Sequence, residues 1–178
     1  HISSRGNSDT EISIDNLLKI NDIVESLDTS VNPTATTEQK SILLTGCTGF
    51  FGAHILAELL NSPEKISSIY CLVRRKNHLE PRKRLTDMMN FYFGDKYNNL
   101  LEKYVTVIES DITASNLGIN DVALKLLQDN INCVIHCAAN VKHYGNYLDF
   151  EKVNIIGTRN IIDFCFNQHA DLHYISTM

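Results

Sequence analysis

Tryptophan is absent from the 178 residues, and no apolar run approaches the ~20 residues a helix needs to span a bilayer. The N-terminus also lacks the charged, apolar and small-residue succession of a secretory signal. A cytoplasmic protein without a membrane span is the expectation. Positive charge is in deficit: 16 Lys and Arg against 21 Asp and Glu leave a net charge of −5. That balance argues against general binding to nucleic acid or anionic membranes, which attract basic surfaces. Cys47, Cys71, Cys133, Cys137 and Cys165 fall within strand or helix patterns rather than a loop framework, so buried free thiols in a reducing compartment are expected. Cys133 and Cys137 share one predicted strand, and no second pair at a zinc-like spacing completes a site, so no metal is expected. What remains is 43% hydrophobic and 21% charged, in a length that suits one domain able to bury a core without staples.

The chain is organised around Ser41–Leu60, SILLTGCTGFFGAHILAELL. A strand pattern runs into Thr45, Gly46, Cys47, Thr48, Gly49, Phe50, Phe51 and Gly52, and an amphipathic helical run follows directly. Gly46 lets the chain leave the strand where a Cβ would resist, Gly49 clears the approach of a pyrophosphate to the backbone, and Gly52 thins the first helical turn. The unpaired N–H groups opening that helix would face phosphates. The spacing is G-x-x-G-x-x-G, one residue longer between the first two glycines than the usual dinucleotide fingerprint. A tight turn that binds nothing is the bland alternative; the strand before and the helix after favour nucleotide binding.

Residues 1–9 read as a disordered or cloning-derived remnant, and 10–40 as a short amphipathic helix with a linker around Pro33. From residue 41 strands and helices alternate. Ser67–Val73 is the second strand and ends in Arg74, Arg75 and Lys76, where an NAD-preferring site would hold an acidic residue ~20 residues past the glycines. A guanidinium there can fork onto a 2′-phosphate that a carboxylate would repel, which makes Arg74 the candidate NADP-selecting residue. Arg82 and Arg84, at the head of the helix Pro81–Phe93, could supply a second cation or be solvated charges. A short helix at Lys96–Lys103 precedes the third strand, Tyr104–Ser110. After it, Asp111 could bond an adenine amino group beside the apolar wall of Ile112, or simply cap a turn. Asn120–Asp129 is helical, and the fourth strand, Asn132–Cys137, opens onto Ala138, Ala139 and Asn140, small enough to admit a flat ligand. His136, inside that strand, reads as a packed core histidine. Tyr147–Gln168 reads as one long helix whose apolar face is interrupted by Asn154, Gly157 and Thr158, and Asp171–Ser176 is a fifth strand.

This alternation predicts the α/β class: a Rossmann-like doubly wound parallel sheet of order 3-2-1-4-5. TGCTGFFG, CLVR, the Asp-Ile pair, HCAAN, VNIIGT and YIST resemble the successive motifs of extended short-chain dehydrogenase/reductases. More narrowly, they resemble the thioester reductase domains that terminate nonribosomal peptide synthetases, kin of carboxylic acid and α-aminoadipate reductases. The resemblance covers Lys40–Met178. It implies that Gly46, Thr48, Gly49, Phe50, Phe51 and Gly52 hold the pyrophosphate of NADPH, Arg74 with Arg84 the 2′-phosphate, and Asp111 and Ile112 the adenine. Ala138, Ala139 and Asn140 would border the nicotinamide ribose, Asn154 would shape the backbone of the site, and Thr177 would hydrogen-bond the substrate carbonyl. The implied activity is NADPH-dependent release of a peptidyl or acyl thioester as an aldehyde, with a phosphopantetheinyl carrier domain as partner. Such enzymes also carry Tyr and Lys of a Y-x-x-x-K helix past the fifth strand. The chain stops at Met178, so a domain truncated there, 41–178, and inactive alone is the expectation. The alternatives are an extended reductase or epimerase acting on a free small molecule or a fatty acyl-CoA, and a non-catalytic NADP-binding module.

Overall fold

The computed structural model describes residues 40–76 and 78–176. The remnant, the N-terminal helix with nearly all of its linker, and Thr177 lie outside the described residues. Strand β1 (Lys40–Thr45) leads through the glycine turn into α1 (Phe50–Asn61), then β2 (Ile66–Val73), α2 (Pro81–Phe93), α3 (Asn98–Tyr104) and β3 (Val105–Glu109). Helix α4 (Asp121–Asn130), β4 (Cys133–His136), α5 (Tyr147–Phe150), a π turn (Glu151–Gly157), α6 (Thr158–Gln168) and β5 (Asp171–Tyr174) follow.

The five strands form one parallel sheet in the order β3-β2-β1-β4-β5, as the alternation predicts. Central β1 explains its own apolar run. With side chains alternating across the pleat, Ile42 and Leu44 enter the core under α1, α2 and α3, while Leu43 enters the one under α4 and α6. Strand β2 divides in the same way, Ile69, Cys71 and Val73 to one side and Tyr70 and Leu72 to the other. Each fully buried Leu or Ile contributes ~1.5–3 kcal/mol, so the middle of the sheet is where most of the burial stabilisation is concentrated.

Helix α2 has the bounds its sequence predicts, Pro81 at the first turn and Gly94 beyond the last at φ +63°. Leu85 and Met89 are buried in the core, so the Met and aromatic stripe is packing. The one long helix predicted over 147–168 is instead α5, the π turn and α6. The physical reason lies in its neighbours. The Asn154 side chain is committed to the backbone after β4, and Gly157 lies so close to Ile112 that an added Cβ would meet that side chain at 3.0 Å. Inserting a residue into the helical ladder lets both contacts be made.

Candidate functional site

The turn after β1 is built as its glycines require. Gly46 sits at φ +71°, and a Cβ on it would lie 2.6 Å from the Ala138 nitrogen, so the turn rests directly on the segment leaving β4. Its carbonyl accepts the Gly49 N–H at 2.9 Å, and Gly49 in turn accepts the Ala53 N–H at 2.9 Å, which starts α1. No side chain caps that helix, whose first N–H groups belong to Phe50 and Phe51. Above Gly49 the space is open: a Cβ there would meet only the Gly46 carbonyl oxygen, at 3.3 Å. Gly52 differs, since a Cβ on it would overlap Gly46 itself.

A cavity of about 650 Å³ stands over this turn. Gly46, Thr48 and Gly49 form its floor. Arg74, Lys76 and Arg84 line the side of β2, Ser110 to Thr113 the side of β3, and Cys137 to Asn140 the end of β4, with Lys142, Asp149, Lys152 and Val153 closing round. Ten of the residues singled out from the sequence therefore meet at one place: Gly46, Thr48, Gly49, Arg74, Arg84, Asp111, Ile112, Ala138, Ala139 and Asn140. Phe50, Phe51, Gly52 and Asn154 are not on its surface. Phe50 is 65% exposed and packs on His54 and Tyr92, so what Phe50 and Phe51 can offer a ligand is their backbone N–H. Lys142, Lys152 and Thr113 escaped sequence reading, since charged and polar residues in loops carry no periodic signal, and Lys76 is marked there only as part of a basic run.

The basic cluster is sorted by partners from elsewhere in the chain. Arg75 is held by Glu80 and by both oxygens of Glu109. Arg82 donates to the Val105 carbonyl and to Glu102, each at 2.8 Å, and is used up away from the cavity. Arg84 reaches inward, donating to the Arg74 carbonyl and, at 3.4 Å, to the Thr48 hydroxyl. Arg74 forms no ion pair among the described residues, and it lines the cavity. Burial alone would raise the Asp111 carboxyl, but the side-chain and backbone bonds of Thr113 and the charges of Arg74 and Lys152 outweigh it and hold the pKa below the ordinary value. Its Oδ1 takes both Thr113 bonds, at 3.0 and 2.8 Å, so the turn-capping role is real.

At the end of β4, polar groups fix the backbone. Thr45 Oγ1 accepts the Ala138 N–H at 3.3 Å and lies 2.6 Å from Nδ1 of His136, whose Nε2 is 3.2 Å from Thr158 Oγ1. His136 is fully buried, and burial lowers its pKa to about 4. It is therefore the neutral core histidine expected of its place in a strand. Asn154 accepts the Asn140 N–H at 2.7 Å and donates to the Asn140 carbonyl at 3.1 Å, clasping the backbone of that residue on both sides of its Cα. It shapes the wall rather than forming it.

Residues 44–178 match the family model described as male sterility protein, an NAD-binding domain. Fatty acyl-CoA reductase 1 of Rattus norvegicus is 34% identical over 128 residues, which are 70% of this chain and 25% of that protein. Fatty acyl-CoA reductase wat of Drosophila melanogaster is 33% identical over the same length and coverage. The chain thus spans about a quarter of the curated relatives it matches. Among solved structures, the terminal R domain from the myxalamid PKS-NRPS biosynthetic pathway superposes with a TM-score of 0.68 at 32% identity, covering 80% of this chain and 36% of that one. A thiolation-reductase di-domain from an archaeal non-ribosomal peptide synthetase gives 0.63 at 35% identity, covering 77% and 27%.

Proposed function

The chain belongs to the male sterility protein family of NAD-binding domains, within the extended short-chain dehydrogenase/reductase superfamily. From that membership we propose that it forms the NADPH-binding part of an enzyme that reduces a carrier-bound peptidyl or acyl thioester to an aldehyde. The dimensions fit the cofactor: a cavity of about 650 Å³ over an uncapped helix start, with nothing but a carbonyl near the missing Cβ of Gly49. When bound, the nicotinamide would supply hydride to the thioester carbonyl, and loss of the thiolate, which takes a proton from solvent, would leave the aldehyde.

This chain's own residues bind and orient. The Phe50 and Phe51 N–H groups would face the pyrophosphate over the open space above Gly49, Asp111 and Ile112 the adenine, and the Ala138–Asn140 backbone the nicotinamide ribose. Thr177 would donate to the carbonyl oxygen as negative charge develops on it. A carrier domain as partner is supported by the likeness to a thiolation-reductase di-domain.

One observation carries the choice of NADPH. Arg74 ends β2 where a 2′-hydroxyl-binding carboxylate would stand in an NAD site, and it borders the cavity while its neighbours Arg75 and Arg82 are taken by glutamates. Titration calorimetry with NADPH and NADH tests it. Arg74→Ala should weaken NADPH binding by ~1.5–3 kcal/mol and leave NADH nearly untouched. Equal losses for both cofactors would remove Arg74 from selection. A second reading, reduction of a fatty acyl-CoA, is favoured by the 34% identity to fatty acyl-CoA reductase 1. NADPH consumption by the intact protein with carrier-loaded thioester or with acyl-CoA separates the two, and binding without turnover of either would mark a non-catalytic module.

A further inference from the structure

The loop from Ser110 to Gly118 forms the β3 wall of the cavity and is closed on itself from within. The Leu117 carbonyl accepts the Asp111 N–H at 3.1 Å and the Ser110 hydroxyl at 2.7 Å. Asn116 and Leu117 reach that position in the left-handed region, at φ +50° and +58°. These bonds fix the shape of the loop but not where it stands relative to the rest of the cavity.

The Ser110 N–H fixes the start of the loop to the Val73 carbonyl at the end of β2, at 3.2 Å, and its middle is placed by α6. Both hydrogens of the Asn160 amide nitrogen go to this loop, to the Ile112 carbonyl at 2.8 Å and the Ala114 carbonyl at 3.2 Å. Asparagine in a helix interior ordinarily faces solvent or bonds within its own helix, and it is a poorer helix former than alanine. Here its donors are spent on carbonyls 48 and 46 residues away in the chain. The two carbonyls flank Thr113, which holds the Asp111 carboxylate by two bonds. Gly157, three residues earlier, lets α6 approach Ile112 closely enough for the amide to reach.

We propose that Asn160 is a positioning residue for the adenosine half of the cofactor: by tethering Ile112 and Ala114 it sets the distance of Asp111 and Ile112 from the bound base. The proposal rests on the NADPH reading above. It differs from a merely stabilising role because the tether acts on one wall and on one half of the ligand.

The test is calorimetric titration of the full chain with 2′,5′-ADP, alongside urea unfolding of each variant. Asn160→Ala should bind 2′,5′-ADP about fivefold to tenfold more weakly, since part of what the two neutral hydrogen bonds contribute goes into holding the adenosine wall in place. Asn160→Ser, which keeps one donor, should show a smaller loss and serves in place of alanine if that variant does not fold. Asn167→Ala, farther along the same helix, should bind as the wild type does. An Asn160 variant that unfolds at lower urea yet keeps wild-type affinity overturns the proposal. A wild-type chain that binds no 2′,5′-ADP overturns the NADPH reading itself, and this inference with it, before any variant is compared.

Discussion

His136 is the residue whose chemistry is most sharply set by its surroundings. It has no exposed surface, its two ring nitrogens meet Thr45 and Thr158, and a proton on it would be stranded away from water. Its folded pKa is lowered from 6.5 to about 4, so between those values the unfolded chain binds a proton that the folded chain refuses. Stability should therefore be lost as pH falls from about 6.5 towards 4, and the slope from this group should flatten below that. Urea midpoints across this range check the expectation: replacing His136 with Gln should remove this part of the slope, and an unchanged profile would assign it elsewhere. Arg74 makes the complementary point. Sequence marks a run of cations after β2, but only Glu80 in the same connection, with Glu102 and Glu109 brought from other elements, decides which of them are already satisfied.

At the scale of elements, α1 and β1 are joined by a contact that admits no side chain. A Cβ on Gly52 would overlap the Gly46 carbonyl, the same group that accepts the Gly49 N–H. Gly52→Ala should therefore cost ~1–3 kcal/mol of stability and also weaken NADPH binding, because the carbonyl that moves carries the floor of the cavity with it. Urea unfolding and cofactor titration on the same variant test both halves, and full retention of affinity would show that the floor does not depend on this packing. Local chemistry made such elements legible in the sequence: Pro81 and Gly94 bracket α2, and three glycines bracket the turn. The π turn was not legible, because the apolar spacing over 147–168 is that of an ordinary helix. Its extra residue follows from where Asn140 and Ile112 lie across the cavity.

For the molecule as a whole, cofactor binding and folding share one free energy. The floor, the two walls and the end of β4 come from four separate strands, so a ligand that touches them all should hold the sheet together. NADPH at 100 times its dissociation constant should add ~2.7 kcal/mol to unfolding, and NADH at the same concentration markedly less. Thermal or urea unfolding with each cofactor measures the difference, and equal protection would contradict selection by the 2′-phosphate.

The sequence by itself determined the order and kind of the elements, the parallel sheet with β1 at its centre and the glycine turn at its head. Those follow from periodicity, apolar runs and glycine sterics, all readable within twenty residues. Tertiary structure decided which of the cations border the cavity and which are taken by glutamates, that His136 joins Thr45 to Thr158, and that Asn154 and Asn160 each hold a different wall. Partners such as Thr45 and His136 are 91 residues apart, and a hydrogen bond requires its two ends to meet in space, which no local pattern encodes.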